Sequence, residues 1–177
     1  VASRKMIGVS TAPAFAAPVS LAHIGVLLLC FIVQAGSEEI LFRGWMLSAV
    51  ARKFNVATGI AFTTAVFALL HFDRQSPWHD VLLSVLFSLF ACLWALREGS
   101  IWGVMGWHAT WNWLLAVGFE VPITGLDSYT PALLVKLVPQ GSRYLNGGPV
   151  GPEGSLLCLA FFLIASAWLL WRHFSSS

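Results

Sequence analysis

Apolar residues in this chain gather into runs close to the length that crosses a bilayer, and that grouping restricts the fold more than any other feature. Five runs can be drawn, at residues 21–52, 56–72, 81–96, 101–119 and 155–171, against the roughly 20 residues a helix needs to span about 30 Å of hydrocarbon. Hydrophobic residues make up 58% of the chain and charged residues 10%. A soluble domain carries about 25% charged residues, so a water-soluble fold would leave much of this apolar surface uncovered. The expected fold is all-α, a polytopic transmembrane helix bundle of about five membrane helices. Because residue 1 is Val, the expectation is a fragment of a larger bundle, with further helices upstream.

The breaks between runs are legible. The first run continues without Pro through Glu38, Glu39 and Arg43 to Arg52 as one long or kinked helix. Residues 73–78 hold two charges and Pro77, a loop signature. Arg97, Glu98 and Gly99 form a tight connection. Residues 120–154 contain Pro122, Pro131, Pro139, Pro149 and Pro152 and are too polar and broken to span. Residues 1–20 are expected to form an N-terminal segment preceding the core, and residues 21–177 a single intramembrane domain. Trp78, Trp102, Trp168 and Trp171 fall near run ends, where indoles favour the headgroup zone. Arg52, Lys53, Arg97 and Arg172 lead slightly as the cytoplasmic side; Arg4, Lys5, Arg74, Lys136 and Arg143 lie on the other.

The net charge of +2 comes from Lys and Arg scattered singly or in pairs. Nothing there tracks a phosphate backbone, so nucleic acid is excluded as a partner. Cys30, Cys92 and Cys158 lie inside apolar runs without CxxC spacing and read as packing residues. Arg4 and Lys5 precede a stretch rich in Ala and Pro without a signal-peptide cleavage pattern.

Charged groups at bilayer depth cost roughly 2.5 to 3.5 kcal/mol each on insertion scales, so they persist mainly when paired or used. Glu38, Glu39 and Arg43 therefore need a reason. Glu39 and Arg43 are four apart and share a helix face, where each neutralises the other. Adjacent helical residues point about 100° apart, so Glu38 faces elsewhere and is available for chemistry. The bland alternative, a solvated amphipathic turn at the membrane surface, weakens in view of the other runs. Phe67 and His71 are spaced i, i+4 near the end of the second run, and His108 and Asn112 likewise within the fourth. His23, His79 and His173 read as bystanders, and Asp80 and Glu98 as solvated groups bordering loops.

With these residues in view, the sequence resembles the CAAX protease and bacteriocin-processing (CPBP or ABI) family of intramembrane peptidases, in its bacterial form. The family's EExxxR corresponds to Glu38-Glu39-Ile40-Leu41-Phe42-Arg43, its FxxxH to Phe67 through His71, and its HxxxN to His108 through Asn112. Each motif alone is weak; in order, on consecutive apolar segments, they are specific. The stretch 147–155 (GGPVGPEGS) looks like a feature of bacterial members leading into a last helix.

The resemblance implies an intramembrane endopeptidase acting on a peptide or protein at the membrane, in a multi-pass protein of the bacterial inner membrane. It implies that Glu38 and His71 activate a water while His108 and Asn112 stabilise the oxyanion, with Glu39 and Arg43 as a structural ion pair and Phe67 as packing. Two forms of the chemistry stay open. Glu38, His71 and His108 suit a three-ligand zinc site with an open position; a metal-free glutamate mechanism uses the same residues and is favoured. The competing readings are a non-catalytic scaffold or maturation factor of the same fold, and a proton-coupled transporter, which the lack of an internal repeat disfavours.

Overall fold

The computed structural model describes residues 7–11, 18–72, 78–123 and 130–174. All five apolar runs are helical, and the fold class is all-α, a helical membrane bundle. Helix α1 (Pro18–Glu39) passes through a π-helical segment, Ile40–Met46, into α2 (Leu47–Lys53). Together they make a 36-residue helix whose most apolar 18 residues have mean hydropathy 2.1, roughly 50 Å long at about 1.5 Å per residue. Next come α3 (Val56–Leu70), α4 (Trp78–Glu98), α5 (Trp102–Trp113) with a second π-helical segment Leu114–Gly118, the short α6 (Arg143–Asn146) and α7 (Leu156–Phe174). Among the described residues, Pro18–Lys53 and Asp80–Glu98 are long and apolar enough to cross a membrane, whereas Val56–Leu70 and Leu156–Arg172 are apolar but shorter.

Local chemistry sets the ends. Asn55 is extended, and its Oδ1 accepts the Thr58 N–H at 2.8 Å, capping α3. Helix α4 stops before Gly99, whose φ of +66° is the left-handed conformation that ends helices most readily on glycine. The loop expected at residues 73–78 lies almost wholly outside the described residues, as do Arg4 and Lys5.

The chain divides into two compact units. The first comprises Val1–Ala35 and Trp107–Leu157. Its core joins Ile24 of α1 to Leu115, Ala116, Val117, Val121 and Ile123, with Leu27 and Phe31 on the same α1 face. The carbonyls of Val117, Gly118 and Phe119 end the helical run and would lack intrahelical partners. They accept the N–H groups of Leu133, Leu134 and Leu137 at 2.8, 3.0 and 3.0 Å. Glu120 turns the chain here at φ +52°, and its carboxylate accepts from the Ala132 N–H and from the Lys136 ammonium.

One feature departs from a purely helical expectation. Ile7–Thr11 (β1) pairs antiparallel with Val135–Val138 (β2), with Ile7 opposite Val138 and an irregularity between Gly8 and Thr11. Both segments are rich in β-branched residues and too short to form stable helices alone. Pairing satisfies their backbone groups.

The second unit comprises Gly36–Gly106 and Cys158–Ser177. A Cβ on Gly59 would lie 3.1 Å from the Leu47 carbonyl oxygen and 3.1 Å from the Ala51 Cβ, so the bare glycine is what lets α3 approach α2 closely. Ala91, Ala95 and Val104 pack together with Trp94 and Ile101. Phe87 and Phe90 of α4 meet Phe162 of α7 with ring centroids 5.7 and 5.5 Å apart. Cys92 and Cys158 are buried as a packing role requires, while Cys30 is exposed on α1.

Candidate active site

In the second unit, the EExxxR motif straddles the change from α to π geometry: Glu38 and Glu39 close α1, and Arg43 sits in the π segment. π-helical turns inside α-helices concentrate at functional sites. The Glu39 and Arg43 side chains are wholly buried, and Arg43 Nη1 donates to Glu39 Oε1 at 3.0 Å. The rings of Phe67, Phe87 and Phe42 surround the guanidinium, 4.7, 5.3 and 5.8 Å from their centroids. The buried Cys92 thiol faces the same cation. A partner ion and aromatic faces are two of the means by which a charge is held in an apolar interior. Glu38, one residue away, is half-buried.

His71 caps the C-terminus of α3 and is exposed. Its Nδ1 lies 2.8 Å from the Phe67 carbonyl oxygen. A carbonyl oxygen only accepts, so Nδ1 carries the proton and the neutral ring keeps its lone pair on Nε2. The Phe67 ring stacks on the imidazole, centroids 4.1 Å apart at 21°. Phe67 is 3% exposed, so the packing role expected of it holds, and its carbonyl and ring also orient His71. The four-residue spacing of FxxxH is the spacing that both contacts need.

In the first unit, His108 and Asn112 lie one turn apart on α5, 6% and 9% exposed. The Asn112 Nδ2 donates to Gln34 Oε1 of α1 at 3.1 Å. The neighbouring Trp113 indole donates to the Ile24 carbonyl at 3.1 Å. Trp111 stacks on Trp107, centroids 5.1 Å apart, and donates its indole N–H to Glu153 Oε1 at 2.8 Å. The second π segment begins two residues after Asn112.

Each motif is therefore assembled within its own unit: Glu38, Glu39, Arg43, Phe67 and His71 in one, His108 and Asn112 in the other. Within neither unit do three or more His, Cys, Asp or Glu among the described residues gather as metal ligands. His23 is exposed, consistent with a bystander; the side chains of His79 and His173 lie outside those described. Sequence reasoning missed Gln34 and Glu153. Gln34 was visible as the polar residue that closes an apolar run, one turn before Glu38, and Glu153 as the carboxylate of the glycine- and proline-rich stretch.

Apolar helices that carry buried carboxylate, guanidinium, imidazole and amide groups define a class of membrane protein in which intramembrane polar groups are retained for function. A family model described as type II CAAX prenyl endopeptidase Rce1-like matches residues 20–114, more than half of the chain and all three motifs. The chain belongs to this family and is, at that level, an integral membrane protein of the CAAX-type intramembrane proteases, with a peptide substrate at the membrane. No solved structure matches it.

Proposed function

We propose that this protein is a multi-pass endopeptidase of a bacterial cell membrane that hydrolyses a peptide bond near or within the bilayer. Glu38 takes a proton from the attacking water, with His71 Nε2 as the second basic group. His108 and Asn112 donate to the oxyanion of the tetrahedral intermediate, where fixed donors in a water-poor setting stabilise developing charge most. Glu39 and Arg43 hold the helix so that Glu38 is presented separately from the ion pair.

The hydrogen bond from His71 Nδ1 to the Phe67 carbonyl is the observation that carries this reading, because it leaves Nε2 as the basic nitrogen on an exposed ring. A packing histidine has no need of a fixed tautomer on an accessible edge. A zinc form of the chemistry would draw on Glu38, His71 and His108, by type a carboxylate and two imidazoles, and the ion would polarise the scissile carbonyl and acidify a bound water. Metal-free chemistry is the form proposed.

The test is turnover of a quenched-fluorescence peptide library by purified protein in liposomes. Glu38→Gln and His71→Ala should each lower turnover at least about a thousandfold, the scale of losing a member of a catalytic set, and His108→Ala about 10²- to 10³-fold, the scale of losing an oxyanion donor, while membrane insertion stays intact. Turnover by wild type no faster than by Glu38→Gln, with both inserted in the membrane, would instead favour a non-catalytic scaffold or maturation factor.

A further inference from the structure

The proposed chemistry requires the Asn112 amide to present an N–H to the reacting carbonyl, and an amide can turn the wrong way. Its NH2 and C=O edges have nearly the same shape, so rotation by about 180° costs little in packing, yet it replaces a donor by a lone pair facing the oxyanion. Something has to choose between the two.

We propose that Gln34 is a positioning residue that fixes the Asn112 amide with its nitrogen edge toward the oxyanion. Gln34 Oε1 accepts one Nδ2–H of Asn112 at 3.1 Å. The bond uses one of the two N–H groups and leaves the other for substrate. If the Asn112 amide turned over while Gln34 kept its own orientation, two acceptor oxygens would face each other. Gln34 therefore discriminates by repulsion as well as attraction.

The separation of the two amides does not rest on their own bond. Ile24, Leu27 and Phe31 of α1 pack with Leu115, Ala116 and Val117 of the run that follows α5, and Trp113 donates to the Ile24 carbonyl at 3.1 Å. Core packing thus sets the distance between the helices, and the amide pair reads it out. Asn112 is 9% exposed, so water competes poorly for its second edge. Gln34 also lies four residues before Glu38 on one helix, so the helix that carries the proposed base carries the residue that orients the oxyanion donor.

This inference rests on the peptidase reading, and its test keeps the two apart. Full-length wild type, Gln34→Met, Asn112→Ala and the double variant are reconstituted in liposomes, with kcat and KM measured on a cleaved peptide. Their melting temperatures are measured in detergent micelles. Gln34→Met keeps the volume in an apolar run and removes the acceptor. It should lower kcat about 10- to 100-fold, less than the roughly 10²- to 10³-fold of deleting an oxyanion donor outright, with KM within about twofold. In the Asn112→Ala background it should change kcat by less than about twofold, since a residue acting through Asn112 has nothing left to act on.

Wild-type kcat in Gln34→Met would overturn the proposal, as would losses that multiply in the double variant or a KM increase that accounts for the whole effect. If wild type cleaves no faster than Glu38→Ala, the peptidase reading fails and the catalytic role of Gln34 falls with it. The melting temperatures then show whether the pair exists at all, because non-additive shifts in the double variant require the contact and additive shifts deny it.

Discussion

The Phe67 and His71 rings are stacked with centroids 4.1 Å apart at 21°, and the buried Arg43 guanidinium lies 4.7 Å from the centroid of the same Phe67 ring. One phenyl ring therefore joins the structural ion pair to the imidazole proposed to act on water. Phe42 packs against it in a T-shaped contact, centroids 5.0 Å apart at 76°. The ring's place fixes the imidazole plane, and the Phe67 carbonyl fixes its tautomer.

Phe67→Leu should separate these two contributions. It keeps the backbone carbonyl and much of the apolar volume but loses the stacking and the cation–π contact, worth about 0.5–1.5 and up to about 2 kcal/mol respectively. The expected result is a moderate fall in melting temperature with kcat reduced about tenfold and KM little changed. Equal kcat in Phe67→Leu and wild type would show that the carbonyl alone orients His71.

The Glu39–Arg43 pair makes a different prediction. With both side chains fully buried, removing one leaves the other charge uncompensated, a loss of about 3–5 kcal/mol. Glu39→Leu and Arg43→Met should each insert poorly and melt early. The double variant, apolar at both positions, should melt higher than either single variant. If the two losses simply add, the pair is not what holds the carboxylate and guanidinium in place.

Much of this was legible in the sequence, and for identifiable reasons. The five apolar runs became helices because lipid-length hydrophobicity and helical backbone satisfaction are strong, local signals. The ion pair could be read from a four-residue spacing that any helix brings onto one face. The π segments could not, since they depend on how a helix fits its neighbours and carry no residue signature of their own. The β1–β2 ribbon pairs residues more than a hundred positions apart, a contact that local periodicity does not encode. Gln34 escaped for a related reason: its partner Asn112 is 78 residues away, and only packing of α5 against α1 brings them together.

Metal dependence is decided by chelation. Under the metal-free mechanism proposed, prolonged exposure to a strong chelator followed by desalting should leave turnover within about twofold of the starting value. Loss of activity restored by zinc alone would assign Glu38, His71 and His108 as ligands. His71→Ala should then also lower zinc retention, which elemental analysis of the purified protein would show.

The Trp111–Glu153 contact gives a last prediction, and it reaches the candidate site from outside. Glu153 lies in the glycine-rich stretch, 8% exposed, and accepts the Trp111 indole N–H at 2.8 Å. Trp111 is next to Asn112 on α5 and one turn from Trp107, on which it stacks. Trp111→Phe keeps an aromatic ring for the stack and removes the donor. A hydrogen bond to a charged acceptor contributes about 1.5–3 kcal/mol, so Trp111→Phe should lower stability by about that much. Glu153→Gln, which keeps an acceptor oxygen with nearly the same shape, should lose less than half as much. Chemical denaturation in mixed micelles measures both. Equal losses in the two variants would mean that the carboxylate's charge, rather than the indole hydrogen bond, fastens this loop to the helix bearing His108 and Asn112.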